Sequence, residues 1–103
     1  MSDLFHKDVP FEFIDKVFGV IRSSPQHNYQ ILTKRAERMA EYFSTRSIPH
    51  NAWLGVTVEI VTTKSRIDYI RKLKAPIRFI SCEPLLEDLG ELDLTGINWV
   101  IVG

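Results

Sequence analysis

The sequence predicts an α/β fold of repeated βα units with about four parallel strands. Three observations predict it. Four short apolar runs, rich in β-branched residues, each end at polar residues or glycine. They are Tyr29–Thr33 before Lys34-Arg35, Trp53–Val58 before Glu59, Ile77–Cys82 before Glu83-Pro84, and Asn98–Val102 before Gly103. Stretches with apolar residues at helical spacing lie between the runs. The run ends also recur almost evenly: Thr33 to Glu59 spans 26 positions, Glu59 to Glu83 spans 24, and Glu83 to Gly103 spans 20. Strands alternating with helices at this spacing read as βαβ units with right-handed crossovers.

Residues 1–9 are mixed, and Leu4 and Phe5 read as the end of a strand with Asp3 and His6 near its tip. Pro10 suits the first turn of a helix, where its missing N–H has no intrahelical partner to lose. Phe11, Ile14, Val17, Phe18 and Ile21 then form one apolar face, and Ser23-Ser24-Pro25 ends it. His27 and Asn28 lead into the Tyr29–Thr33 strand. From Lys34 to about Arg46, Ala36, Met39, Ala40 and Phe43 fall at i, i+3, i+4 and i+7 opposite a charged face. Residues 47–51 form a turn-rich connection. In the central strand, Trp53–Val58, Gly55 signals a bulge or the close approach of another group. Thr62 or Thr63 suits the cap of the next helix. Ile67, Ile70 and Leu73 give that helix its stripe, Asp68 and Lys72 make an i,i+4 pair, and Ala75-Pro76 stops it. After Ile77–Cys82, Leu85, Leu86, Leu89, Leu92 and Leu94 supply apolar cover, but Gly90 and the acidic residues break a long helix. A short helix or turn, then Thr95-Gly96, precedes the last strand.

Two whole folds satisfy this pattern: a small open sheet with helices on both faces, or a segment of a (β/α) barrel with helices on one side. Both place functional groups at the carboxyl ends of the strands. The chain stops on an apolar strand and residues 2–6 resemble a strand end, so a partial TIM-like barrel segment is expected, as a single domain over residues 1–103. Such a segment has two unpaired edges, which invite association. Self-association through those edges is expected, as a dimer, a higher oligomer or a rearranged closure, with the missing barrel portion as the other natural partner.

The chain has 103 residues, enough for one modest core. It carries 13 Lys plus Arg and 13 Asp plus Glu, and this balance argues against a general electrostatic grip on nucleic acid or a membrane surface. A single cysteine, Cys82, forms no internal disulfide, which points to a reducing, cytoplasmic setting. Met1–His6 lacks the basic head and apolar run of a signal peptide, and no stretch reaches membrane-spanning length.

Glu59 and Glu83 follow two successive strands. On adjacent strands, roughly 4.8 Å apart, their carboxylates would lie about 5–10 Å from each other. Such a pair can bind a ligand amine or ribose hydroxyls, or act as acid and base; the plainer reading is capping or solvation. Lys34 and Arg35 can hold a carboxylate or phosphate, or simply charge a first helical turn. Thr33, Thr57 and Ser81 place hydroxyls at strand ends, where they orient a ligand or bond nearby backbone. Cys82 has no neighbouring histidine in sequence and suits the core. His6, His27 and His50 show no metal-ligand spacing, and no metal is expected. Gly55 and Gly96 make no nucleotide fingerprint. Trp53 and Trp99 begin equivalent strands and are expected to pack at the bottom of the sheet. The ligand-binding candidates are Thr33, Lys34, Arg35, Thr57, Glu59, Cys82 and Glu83, with no catalytic residue assigned.

Leu32-Thr33-Lys34-Arg35, Trp53–Glu59, Ser81-Cys82-Glu83-Pro84-Leu85-Leu86 and Trp99–Gly103 together resemble the phage Gp37/Gp68-like family of bacterial and phage proteins. Ser2-Asp3-Leu4-Phe5-His6 fits the same pattern, so the resemblance covers almost the whole chain. It implies a barrel like that of radical S-adenosylmethionine proteins, with S-adenosylmethionine and an iron–sulfur cluster in full-length relatives. This chain departs from the pattern in lacking the three-cysteine motif, and one cysteine cannot hold a four-iron cluster. The glycine-rich acidic loop after the last strand is missing, Ala36 replaces a usual proline, and Ile60-Val61 replaces a more polar pair. The resemblance therefore implies the C-terminal-side portion of such a barrel, without a cofactor or catalysis of its own. The alternative is an autonomous, non-catalytic binding or interaction module of phage origin.

Overall fold

In the computed structural model the described residues are 3–82 and 88–102. Helices α1 (Phe11–Arg22), α2 (Ala36–Phe43) and α3 (Arg66–Arg71) alternate with strands β1 (Tyr29–Thr33), β2 (Ala52–Thr57), β3 (Ile77–Cys82) and β4 (Trp99–Val102), and a short 3-10 turn covers Val61–Thr63. The four strands pair in parallel in the order β1-β2-β3-β4. This is the predicted α/β arrangement of alternating helices and parallel strands.

The register separates the two faces. Ile31 lies level with Leu54 and Thr33 with Val56, while Val56 lies level with Ile80 and Ile80 with Val100. Side chains of this face join Ile14, Phe18 and Ile21 of α1, Met39, Tyr42 and Phe43 of α2, and Ile67 and Ile70 of α3 in one core cluster. Gln30, Leu32, Trp53, Gly55, Thr57, Phe79, Ser81 and Trp99 alternate onto the other face, and none of them belongs to that cluster. Among the described residues the helices thus cover one face only. A doubly wound sheet needs a reversal in strand order to bring helices to both faces, and this order has none. That open face carries its own aromatic packing. Phe79 stacks on Trp99 at 5.5 Å and Trp53 meets Trp99 edge-on at 5.4 Å, so both tryptophans pack on the sheet as expected.

Two polar devices tie the helical layer together. The Tyr42 hydroxyl donates to Asp15 at 2.6 Å, and Arg46 Nε donates to the same carboxylate at 2.7 Å, joining α1 to the region after α2. The Arg46 guanidinium holds the Asp15 carboxyl below its ordinary value, whereas burial, reinforced by Asp15, pushes the Tyr42 phenol upward. The second device is Asn51, which is 1% exposed. Its Nδ2 donates to the carbonyls of Ile21, Ser24 and His27 at 2.8, 3.1 and 3.0 Å, fastening the end of α1 and the following turn to the start of β2.

Several local expectations are corrected. Leu4 and Phe5 belong to a turn, because Asp3 Oδ1 accepts the Phe5 N–H and Asp3 O accepts the His6 N–H. Phe5 is thereby aimed into the core, against the Tyr42 and Phe43 rings. The α2 helix starts at Ala36 rather than Lys34, since the Lys34 and Arg35 N–H groups donate to the side chains of Asp3 and Thr33. Thr63 closes a turn onto Ile60 O instead of capping α3. Asp68 pairs with Arg71 at 2.6 Å rather than with Lys72. Gly55 sits in unbroken register, so it marks a close approach and not a bulge. Residues 88–94 form no helix and lead into a turn at Thr95-Gly96, held where Arg71 donates to Thr95 O and Arg78 to Gly96 O, both at 2.8 Å. The expected cover from Leu85 and Leu86 lies outside the described residues.

Candidate functional site

The carboxyl ends of β1 and β2 flank a cavity of about 510 Å³ lined by Asp3, Gln30, Leu32, Thr33, Lys34, Arg35 and Thr57. Four of the seven ligand-binding candidates therefore meet at one place. They do not play the same part. Thr33 is 2% exposed and already engaged. Its hydroxyl donates to the Asp3 carboxylate, 2.7 and 2.8 Å from the two oxygens, and accepts the Arg35 N–H at 2.8 Å. With the Lys34 N–H also bound to Asp3 at 2.9 Å, Asp3 and Thr33 shape the loop and leave Thr33 little capacity for a ligand.

Lys34 and Arg35 present the opposite case. Both are exposed, and among the described residues neither side chain has a hydrogen-bond or ion-pair partner. They line the tip cavity and also a second hollow of about 440 Å³, which Arg38, Glu41, Arg66 and Tyr69 complete. The α2 helix, whose first turn lines the second hollow, starts without a side-chain cap. Thr57 is 3% exposed, and among the described residues no hydrogen bond involves its hydroxyl. Ser81 lies beside it in register on the same open face.

Glu59 turns toward α3. Arg66 Nη1 sits 3.3 Å from its carboxylate and donates to Thr57 O at 2.6 Å, so this arginine braces the end of β2. The Glu59 side chain is 13% exposed. Cys82 points to the helix-covered face, 2% exposed, where burial raises its thiol pKa. It does not line the tip cavity. Glu83 lies outside the described residues, and so does its expected pairing with Glu59. Among the described residues, no group of three or more His, Cys, Asp or Glu is arranged to hold a metal ion.

Asp3 and Arg66 were not among the sequence-derived candidates, yet they organise the site. Asp3 followed two residues later by Phe5 has the spacing of an Asx turn, a local signal. Its bond to Thr33 spans 30 residues and leaves no local trace. Arg66 reaches Glu59 only because the Val61–Thr63 turn folds the chain back before α3.

These features define a class: a parallel α/β protein wound in one direction, with polar groups gathered at the carboxyl ends of its strands. The chain belongs to the family described as "Protein of unknown function (DUF5131)", whose model matches residues 1–103. No curated protein and no solved structure matches it.

Proposed function

We propose that this chain is part of a (β/α) barrel of the radical S-adenosylmethionine type, of phage Gp37/Gp68-like character, and that it contributes a ligand surface rather than the reaction. The observation that carries this reading is the one-directional sheet, with helices on one face and a cavity at the strand ends lined by Thr33, Lys34, Arg35 and Thr57 among others. In barrels of this kind the carboxyl ends of the strands form the site. The cavity is of a size that takes a small organic ligand. An iron–sulfur cluster does not fit the residues present. Cluster binding needs several thiolates, and Cys82 is a single thiol in the apolar core. No chemical step through a cluster is assigned to this chain, and its lone unpaired thiol suits a reducing compartment such as the cytoplasm. The test is a titration of the isotope-labelled chain with S-adenosylmethionine, read by amide chemical shifts. Saturable shifts at Gly55, Thr57 and Glu59 are expected; none at millimolar ligand overturns the assignment of a cofactor surface here.

A second reading, an interaction module, is favoured by one feature. Along the β1 edge runs a hollow of about 510 Å³, lined by Leu4, Val9, Phe13, Val17, Val20 and Ile31 among others. Phe13 and Val20 are 53% and 61% exposed there, and at the other edge Val102 is 66% exposed. Open strand edges beside apolar surface favour pairing with another strand. Light scattering after size exclusion is expected to give at least a dimer mass, reduced by Phe13→Glu or Val102→Lys. A monomer mass throughout the accessible concentration range removes self-association.

A further inference from the structure

We infer that the cavity at the ends of β1 and β2 is an oxyanion site, which takes the phosphate or carboxylate end of a small molecule. This deepens the ligand-surface reading above and rests on it. The first observation is the exceptional position of Arg35. The chain has seven arginines. Arg22, Arg38, Arg46, Arg66, Arg71 and Arg78 all donate to carbonyls or carboxylates of the protein. Arg35 is the one that does not, among the described residues, and it stands next to Lys34, whose side chain is also unpaired. Two adjacent cations at a cavity rim, without partners among the described residues, can hold a planar or tetrahedral oxyanion.

The second observation is independent of charge. Thr57 is 3% exposed, its hydroxyl has no partner among the described residues, and it lines the same cavity. Among the described residues Asn51 Oδ1 is the one fully buried side-chain polar atom without a partner, so the Thr57 hydroxyl oxygen keeps an accessible face. A ligand oxygen in the cavity would accept from this hydroxyl while the Lys34 and Arg35 side chains hold its charge. The Asp3 carboxylate also lines the cavity, but the Thr33 hydroxyl and the Phe5 and Lys34 N–H groups already donate to it. Its negative charge is therefore partly compensated in place.

The test uses the full isotope-labelled chain at constant ionic strength, titrated with inorganic phosphate and, separately, with acetate. Saturable shifts of the Lys34, Arg35 and Thr57 amides are expected with at least one of them. The Lys34→Gln/Arg35→Gln variant, at two exposed positions, is expected to weaken binding at least about tenfold. Thr57→Val should weaken it several-fold with the rest of the spectrum unchanged, and Thr57→Ser, which keeps the hydroxyl, should restore it. Tighter binding of phosphate assigns a phosphate ester as the ligand class; tighter binding of acetate assigns a carboxylate. Shifts that grow linearly to about 100 mM with both anions, or saturable binding unchanged in the double variant, overturn the proposal. Saturable phosphate binding without any response to S-adenosylmethionine keeps the oxyanion site and removes the cofactor reading.

Discussion

Replacing Asn51 by aspartate is expected to destabilise the fold by roughly 3 kcal/mol or more, one of the two largest effects anticipated for a single change. The two N–H hydrogens of the amide serve three carbonyls, so one is shared between two acceptors, while Oδ1 has no partner among the described residues. Two of these acceptors have a second donor: Ile21 O from the Ser24 N–H, and Ser24 O from the His27 N–H. His27 O has only Asn51 among the described residues. Aspartate is nearly isosteric but acceptor-only when ionised, so it would face three carbonyl oxygens at under 3.2 Å with like partial charge. Asn51→Ala removes the donors without adding a charge and should cost less, about 2 kcal/mol. In a domain of this size, 3 kcal/mol corresponds to a loss of about 10–20 °C in Tm. Urea and thermal melts of the parent chain and the two variants would check the order. Equal stabilities for Asn51→Asp and Asn51→Ala would mean that repulsion at the carbonyls is not the dominant effect. A small cost for both would mean that the α1–β2 joint is held mainly by its apolar contacts.

The contrast between Asn51 and the apolar runs shows what was legible in the sequence. Ile31, Leu54, Val56 and Ile80 announce their strands through β-branched, apolar patterning, and Ile14, Phe18 and Ile21 announce a helix through spacing. Both signals are local, and the parallel α/β class follows from their alternation. Asn51 reads locally as a turn residue. Its structural role depends on carbonyls 24 to 30 residues away. The same limit applies at the candidate site. Lys34, Arg35 and Thr57 could be placed at strand ends because the strands themselves were legible. That Thr33 is occupied by Asp3, and Glu59 by Arg66, was not legible, since both pairings depend on turns that set side-chain direction. The side chains left without a partner among the described residues after those pairings, Lys34, Arg35 and Thr57, are identifiable only from the three-dimensional arrangement.

Gly55 carries the second large effect, and here the sequence offered the position but not the neighbour. A Cβ built at Gly55 would lie 2.4 Å from the Phe79 ring. The ring has little room to give: Phe79 is 2% exposed and stacked on Trp99, which Trp53 backs edge-on. Gly55→Val should therefore destabilise by about 2–3 kcal/mol, as overpacking in a close-packed cluster does. Reduced entropy of the unfolded chain would offset part of this, but only about 0.4–1 kcal/mol for losing a glycine. Steric strain outweighs that gain, and Val is expected to be worse than Ala at this position. Phe79→Leu shortens the opposing side chain. The double variant Gly55→Val/Phe79→Leu should then be more stable than the sum of the two single losses predicts, by at least about 1 kcal/mol. Additivity within about 0.5 kcal/mol would show that the ring and the glycine do not exclude each other, and the close approach would lose its meaning. The coupling also bears on the site, because Gly55 lies two residues before Thr57 on the same open face of β2. A double variant that regains stability but loses the anion-induced shift at Thr57 would show that the aromatic floor positions the hydroxyl. One that regains both would confine the role of Gly55 and Phe79 to packing.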